Sequence, residues 1–165
     1  MILRVARAVL LLPGTVLGLI PALLIFRFRG TAWDIHPAGL SSAGFWIGFV
    51  AGAAGLSLGV WTVSLFVSVG EGTPAPWDPP KKFVVRGPYR HVRNPMIVGI
   101  LLMLSAEALI LHSWPIAGWL VFFKMANILY IPGVEEKMLE ARFGEDYRRY
   151  KANVPRWVPR LTAWL

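Results

Sequence analysis

Cysteine is absent from this chain of 165 residues, and acidic residues are scarce, with 9 Asp and Glu against 17 Lys and Arg. Without cysteine there is no disulfide framework, no thiolate nucleophile and no cysteine-based zinc site. Charged residues make up only 16% of the chain, whereas soluble domains usually carry about a quarter. The chain is 56% hydrophobic, with a mean hydropathy of +0.56. The composition therefore predicts one small integral membrane domain over residues 1–165.

Four apolar runs predict membrane-spanning helices. These spans cover about residues 8–26, 42–69, 95–112 and 116–131. The first run has the basic start of a signal peptide, but Arg-Phe-Arg at residues 27–29 follows it instead of a cleavage site, so we expect a retained span. In the second run, Gly44, Gly48 and Gly52 recur at four-residue spacing. That spacing allows close helix packing, either within the chain or against a second copy.

The distribution of positive charge predicts the orientation of the spans. Residues 1–7, 70–94 and 132–165 together hold 14 of the 17 Lys and Arg residues. By the positive-inside rule, both termini, the loop of residues 70–94 and the segment of residues 132–165 lie in the cytoplasm. We therefore expect a multi-pass protein of a bacterial-type inner membrane. Its basic residues would face anionic membrane lipids rather than nucleic acid.

The segment of residues 132–165 is predicted to be helical and interfacial. Pro-Gly at residues 132–133 should break or bend the chain after the fourth span. An amphipathic pattern then runs to Gly144, which suits a helix end, and a second short helix should follow. The predicted fold class is all-α integral membrane, with four transmembrane helices and a C-terminal interfacial helical segment.

The start of the third span concentrates features that suit a ligand. Asn94 is predicted to cap this helix through its side-chain oxygen, and Pro95 to occupy the first helical position. The open N–H groups and partial positive charge of a helix start suit an anionic group. Because residues 113–115 form a short turn, the fourth span returns to the same end as an antiparallel partner. Glu135 and Glu136 should then either pair with nearby arginines or bind a cationic group.

Two segments resemble those of a known family. Residues 87–99, GPYRHVRNPMIVG, and residues 135–159, EEKMLEARFGEDYRRYKANVPRWVP, look like the isoprenylcysteine carboxyl methyltransferase family. They resemble more loosely the phospholipid N-methyltransferases of the same superfamily. The likeness covers residues 81–160, and the first two spans match only as spans. It implies a single membrane methyltransferase domain that uses S-adenosylmethionine, binds no metal and takes a lipophilic acceptor from the bilayer.

The resemblance also implies which residues contact the cofactor. The methionine carboxylate would meet the N–H groups after Asn94, and Glu135 would meet the ammonium or the ribose hydroxyls. Tyr89 would approach the adenine or the sulfonium. No catalytic side chain is implied, because the sulfonium is already activated and the protein has to align the reactants. The matching positions are Phe83, Val84, Tyr89, Asn94, Pro95, Met96, Ile97 and Glu135, with Glu136 as the adjacent acid.

Two positions depart from the family pattern. Asn94 stands where the family usually has His, and it cannot exchange a proton near neutral pH. Ile131 stands where eukaryotic members have an Arg that can hold a substrate carboxylate. Methylation of a lipid amine is therefore an alternative to methylation of a prenylated cysteine. A non-catalytic membrane scaffold and a reductase of the sterol-reductase type are further alternatives, and the oligomeric state stays open.

Three further charged residues are weaker candidates for contact with the acceptor: Arg93, Glu107 and Lys124. Glu107 and Lys124 lie within the predicted third and fourth spans. Charges inside spans are functional candidates by default, although the two residues could also form a buried ion pair.

Overall fold

The computed structural model describes residues 2–75 and 77–164, and within them the chain forms helices and loops without a strand. Two wider π-helical turns, Thr15–Leu19 and Ile131–Glu135, lie between consecutive helices. The all-α class is thus confirmed for the described residues. The helices are α1 (Ile2–Leu11), α2 (Ile20–Phe28), α3 (Ala43–Ser68), α4 (Pro95–Ile110), α5 (Trp114–Tyr130) and α6 (Glu136–Asn153).

Three helical stretches are long and apolar enough to cross a bilayer: Ile2–Phe28, Ala43–Ser68 and Trp114–Asn153, in which α5 is the apolar part. They correspond to the predicted first, second and fourth spans. Helix α4 has only 16 residues. At 1.5 Å per residue it is about 24 Å long, shorter than the roughly 30 Å hydrocarbon core of a bilayer. The third span therefore stays a prediction.

Glycines allow α3 and α4 to pack in close contact. A Cβ on Gly55 would lie 2.6 Å from the carbonyl oxygen of Gly99, and one on Gly48 would lie 2.8 Å from Cγ1 of Ile110. Gly52 also faces α4, because its Cβ would lie 3.1 Å from Cβ of Ala106. The glycine spacing of α3 thus serves packing within the chain.

Contacts between loops show which segments share an end of the bundle. Arg4 near the start of the chain forms an ion pair with Asp78 in the loop of residues 70–94. The N–H of Arg93 in that loop donates to Pro155 O in the C-terminal tail at 2.9 Å. Both ends of the described chain therefore lie beside the same loop. The link after α2 lies at the other end, where the His36 N–H donates to Leu111 O at 3.1 Å.

The path from α5 to α6 differs in part from the prediction. The chain stays helical through Pro132 and Gly133, because the turn widens and the Glu136 N–H bonds to Ile131 O. A wider turn accommodates a residue that lacks an N–H. A separate interruption occurs at Gly144, whose φ of 55° and ψ of −127° divide α6. Two short helices separated at Gly144 are as the sequence indicates.

Candidate functional site

Helix α4 starts where the sequence predicts, but the predicted side-chain cap is wrong. The Asn94 side chain makes no capping bond, and its Nδ2 instead donates to Arg156 O at 3.3 Å. The amide is therefore turned toward the C-terminal tail. The first helical bond runs from the Val98 N–H to Asn94 O at 3.1 Å. The N–H groups of Met96 and Ile97 precede that bond, where helical N–H groups lack an intrahelical acceptor.

Glu136 is the centre of a buried ion-pair network and is only 2% exposed. Its Oε1 lies 2.9 Å from Nη1 of Arg93 and 2.7 Å from Nε of Arg156. Its Oε2 lies 3.2 Å from Nζ of Lys151. Burial alone would raise the pKa of Glu136, but bonds from Arg156 and Lys151 and the charge of Arg93 lower it overall. The network ties the start of α4, helix α6 and the tail to one carboxylate.

The neighbouring acid, Glu135, is in a different state. Across residues 2–75 and 77–164, its carboxylate takes part in no ion pair or hydrogen bond. Burial and the negative charge of Glu136 raise the pKa of Glu135. The pKa of Tyr89 is also raised, first by burial, then by Tyr150 and by the charge of Glu135. Glu135 is therefore a partly buried acid near Tyr89 that lacks a cationic partner in the described chain.

Tyr89 is fixed in a 3₁₀ turn, Gly87–Arg90, just before α4. Its ring stacks on Phe66 of α3, with ring centroids 5.4 Å apart. Its carbonyl oxygen accepts a hydrogen bond from the hydroxyl of Tyr150 on α6 at 2.7 Å. The turn is thereby held between α3 and α6. In this structure the ring of Tyr89 is a packing group that borders the space near Glu135.

The predicted cofactor residues fall into two groups. Phe83 and Val84 lie in packed surroundings: the Phe83 ring centroid is 5.1 Å from that of Phe143, and Val84 is 6% exposed. Their contact with a ligand stays a prediction. The other group lies around the start of α4 and the π-helical turn, and consists of Tyr89, Asn94, Pro95, Met96, Ile97, Glu135 and Glu136.

Of the three weaker candidates, the structure brings Arg93 alone into this cluster. Glu107 lies twelve residues beyond Pro95 on α4, about 18 Å along the helix. Its Oε2 is buried without a hydrogen-bond partner among the described residues. Lys124 on α5 is exposed. Among residues 2–75 and 77–164, no ion pair joins Lys124 to Glu107. A role for Glu107 and Lys124 with the acceptor stays a prediction.

Two basic residues near the C-terminus face inward, contrary to the expectation from the sequence. Arg156 and Lys151 were expected to face lipid headgroups with the other basic residues, yet both contact Glu136. The available signal was the position of Arg156 within the segment ANVPRWVP, which belongs to the family resemblance.

This chain is similar to known proteins. A family model described as phospholipid methyltransferase matches residues 44–146, more than half of the chain, including the start of α4 and both glutamates. An uncharacterized protein of Haemophilus influenzae is 41% identical over 64 residues, which are 38% of this chain and 100% of that protein. No solved structure matches the chain.

Proposed function

This chain belongs to the phospholipid methyltransferase family, and we propose that it transfers a methyl group from S-adenosylmethionine to a lipophilic acceptor that enters from the bilayer. The family and the three apolar helices indicate an integral membrane methyltransferase. The observation that carries the finer proposal is the 2.9 Å contact between Arg93 and Glu136. It joins the residue before Asn94 to the residue after Glu135, so the start of α4 and the acidic pair lie side by side.

The residue types at this end of α4 fit a zwitterionic cofactor. The N–H groups of Met96 and Ile97, with the helix dipole, suit a carboxylate. Glu135 suits an ammonium group or ribose hydroxyls, because its own charge is unneutralised in the described chain and its pKa is raised. We assign Glu136 a positioning role, since its oxygens are occupied by Arg93 and Arg156.

The reaction asks this chain for alignment and for exclusion of water. When bound, S-adenosylmethionine supplies an activated methyl group on a sulfonium, so no protein nucleophile is needed. Tyr89 is 7% exposed and Ile131 is 1% exposed, so these two side chains beside the proposed site are shielded from water. The contacts of Glu136 and Tyr150 fix the two segments that would flank the reactants, and such fixed alignment lowers the barrier.

A lipid amine is the acceptor that the local charges favour. Ile131 is buried at the position where a carboxylate-binding Arg would be expected. The cations beside the acidic pair, Arg93 and Arg156, are paired with Glu136. A substrate carboxylate would have to compete for them, whereas an amine would not. Methylation of a prenylated cysteine is the second candidate, and it rests on the resemblance of residues 87–99 to the isoprenylcysteine enzymes.

Labelled methyl transfer distinguishes the candidates. The purified chain would receive radiolabelled S-adenosylmethionine with phosphatidylethanolamine vesicles or with a prenylated cysteine peptide. Label in the lipid supports the amine acceptor, and base-labile label in the peptide supports the second candidate. Glu135→Gln should lower transfer about tenfold or more when S-adenosylmethionine is limiting, whereas Glu140→Gln, the same change on an acid paired with Lys151, should leave transfer unchanged. A folded chain that labels neither acceptor and binds no S-adenosylhomocysteine would contradict the enzyme proposal.

A further inference from the structure

A groove of about 380 Å³ lies next to the candidate site but is separate from it. Tyr89 and Glu135 do not line it. The groove lies between α3, the turn before α4 and the C-terminal tail. Its three walls include Leu58 and Trp61 on α3, Arg90 and His91 at the end of the turn, and Pro159 and Ala163 in the tail.

The groove lies near the end of α3 and the start of α4, where a spanning helix would leave the bilayer. Trp61 is seven residues, or about 10 Å, from the end of α3 at Ser68. Val98, which also lines the groove, is one turn from the start of α4. Trp61 is 53% exposed, and tryptophan is enriched where acyl chains meet headgroups. In a bilayer the α3 wall would therefore border acyl chains, and the wall of Arg90 and His91 would border headgroups.

Two cationic or hydrogen-bonding side chains stand above the apolar wall. Nε of Arg90 donates to Trp164 O at 2.5 Å, which orients its guanidinium. Nδ1 of His91 lies 2.8 Å from Arg160 O. Because a carbonyl oxygen only accepts, Nδ1 carries the proton in this bond. Nε2 of the neutral ring is then an acceptor, which can take a hydrogen bond from a headgroup hydroxyl but cannot donate to a phosphate. A phosphate above an acyl chain matches this arrangement of charge and apolar surface.

We propose that the groove binds a phospholipid with an anionic headgroup, as a bound structural lipid and not as the methyl acceptor. Its phosphate would contact Arg90, and a headgroup hydroxyl would donate to Nε2 of His91. One acyl chain would lie along Leu58 and Trp61. Charge complementarity favours an anionic lipid, because 14 of the 17 Lys and Arg residues lie in the segments at this end. A soluble anion would leave the apolar wall uncovered.

A lipid in the groove would also hold the tail in place. The tail wall is joined to the turn by two backbone bonds, from the Arg160 N–H to His91 O at 3.0 Å and from the Trp164 N–H to Arg90 O at 2.9 Å. The same tail contains Arg156, which forms an ion pair with Glu136. On the tail, Leu161 is 99% exposed and adds apolar surface for the same layer. A bound lipid would therefore stabilise the network that positions α4.

Quenching of tryptophan by brominated lipids tests the proposal. The full chain would be placed in phosphatidylcholine vesicles that contain a minor share of brominated phosphatidylglycerol or brominated phosphatidylcholine. The signal of Trp61 is the difference between the unaltered chain and Trp61→Phe. We expect stronger quenching by phosphatidylglycerol, which has no amine and so cannot act as an N-methyl acceptor. Arg90→Gln should reduce this preference about fivefold, the effect of one cation near the surface.

Two further variants separate the groove from general surface charge. Arg149→Gln removes the same charge from the exposed surface of α6 and should keep the preference. Ala163→Phe fills the groove without a change of charge and should abolish the preference, even if Arg90→Gln disturbs the tail. Equal quenching by the two lipids in the unaltered chain would overturn the proposal. The proposal would also be overturned if Arg90→Gln and Ala163→Phe both kept the stronger quenching by phosphatidylglycerol.

Discussion

The start of α4 and the rest of α4 are held in different ways. From Gly99 onward the helix packs on α3 through close backbone contact. A Cβ added to Gly55 would lie only 2.6 Å from the carbonyl oxygen of Gly99, so no side chain fits between the two helices there. The start of the helix is held by charges and hydrogen bonds around Glu136. At the polar end Glu135 has no cationic partner in the described chain. The contact between Arg93 and Glu136 brings it beside a helix start that suits an anionic group, so the polar end is the candidate site.

The largest effect should come from removing the centre of the polar end. Glu136→Ala leaves Arg93 buried without its counter-ion, which should cost about 3–5 kcal/mol of stability. The midpoint of thermal unfolding in detergent measures it. The control is Glu140→Ala, whose pair with Lys151 is more exposed and worth under about 1 kcal/mol. Equal losses in the two variants would mean that the buried network does not hold the start of α4.

Acidification should show the same network. Because the pKa of Glu136 is lowered in the folded chain, its contribution to stability is present above its ordinary pKa. The contribution is lost as the pH falls through the lowered value. In Glu136→Ala this acid-dependent loss should be absent. An identical acid profile for both proteins would contradict the assignment.

A smaller loss is expected at the packed end. Gly55→Ala pushes a methyl group against Gly99 O and should cost about 1–3 kcal/mol through separation of α3 and α4. Gly118→Ala on α5 is the matched control, since its added Cβ meets no atom of the described residues within 4 Å. Binding of S-adenosylhomocysteine by folded Gly55→Ala should be nearly unchanged. A large loss of binding would show that the two ends are coupled.

The hydrogen bond that anchors the turn should contribute less. Tyr150→Phe removes the donor to Tyr89 O and leaves a buried carbonyl without this partner, at a cost of about 1–2 kcal/mol. The same substitution at Tyr130, which is 49% exposed, serves as the control and should be nearly neutral. If Tyr150→Phe is as stable as Tyr130→Phe, the turn before α4 is held by packing alone.

The smallest change in stability is expected for the acid that lacks a partner. Glu135→Gln removes a carboxylate whose ionisation is disfavoured by burial and by Glu136, so stability should change by less than about 0.5 kcal/mol or rise. Thermal unfolding of the ligand-free chain measures this. A loss comparable to that of Glu136→Ala would show that Glu135 is also structural.

Much of the fold follows from local sequence. Long apolar runs fix the helices, and Pro95 fits a first helical position because no N–H is needed there. Gly144 marks the interruption of α6 because glycine adopts positive φ without strain. Pro132 did not end the helix, because the widened turn around it accommodates a residue without an N–H donor. That outcome depends on the helices on both sides, which the local pattern does not include.

The approach of the acidic pair to the start of α4 was predictable from the sequence, whereas the individual contacts were not. The short turn between α4 and α5 indicated that Glu135 and Glu136 return to the start of α4. The sequence does not distinguish the two adjacent acids, however. Their side chains leave the helical turn in different directions, and this decides that Glu136 contacts Arg93. The Asn94 side chain was predicted as a cap from its neighbours, whereas its partner is Arg156 O, 62 residues further along the chain.

Binding of S-adenosylhomocysteine to the purified chain, measured by calorimetry, tests the central claim most directly. The account predicts binding that Glu135→Gln weakens about tenfold or more, because a charge-assisted contact is lost, and that Glu140→Gln leaves unchanged. Equal affinity for the unaltered chain and both variants would contradict the claim that the start of α4 and Glu135 form the cofactor site.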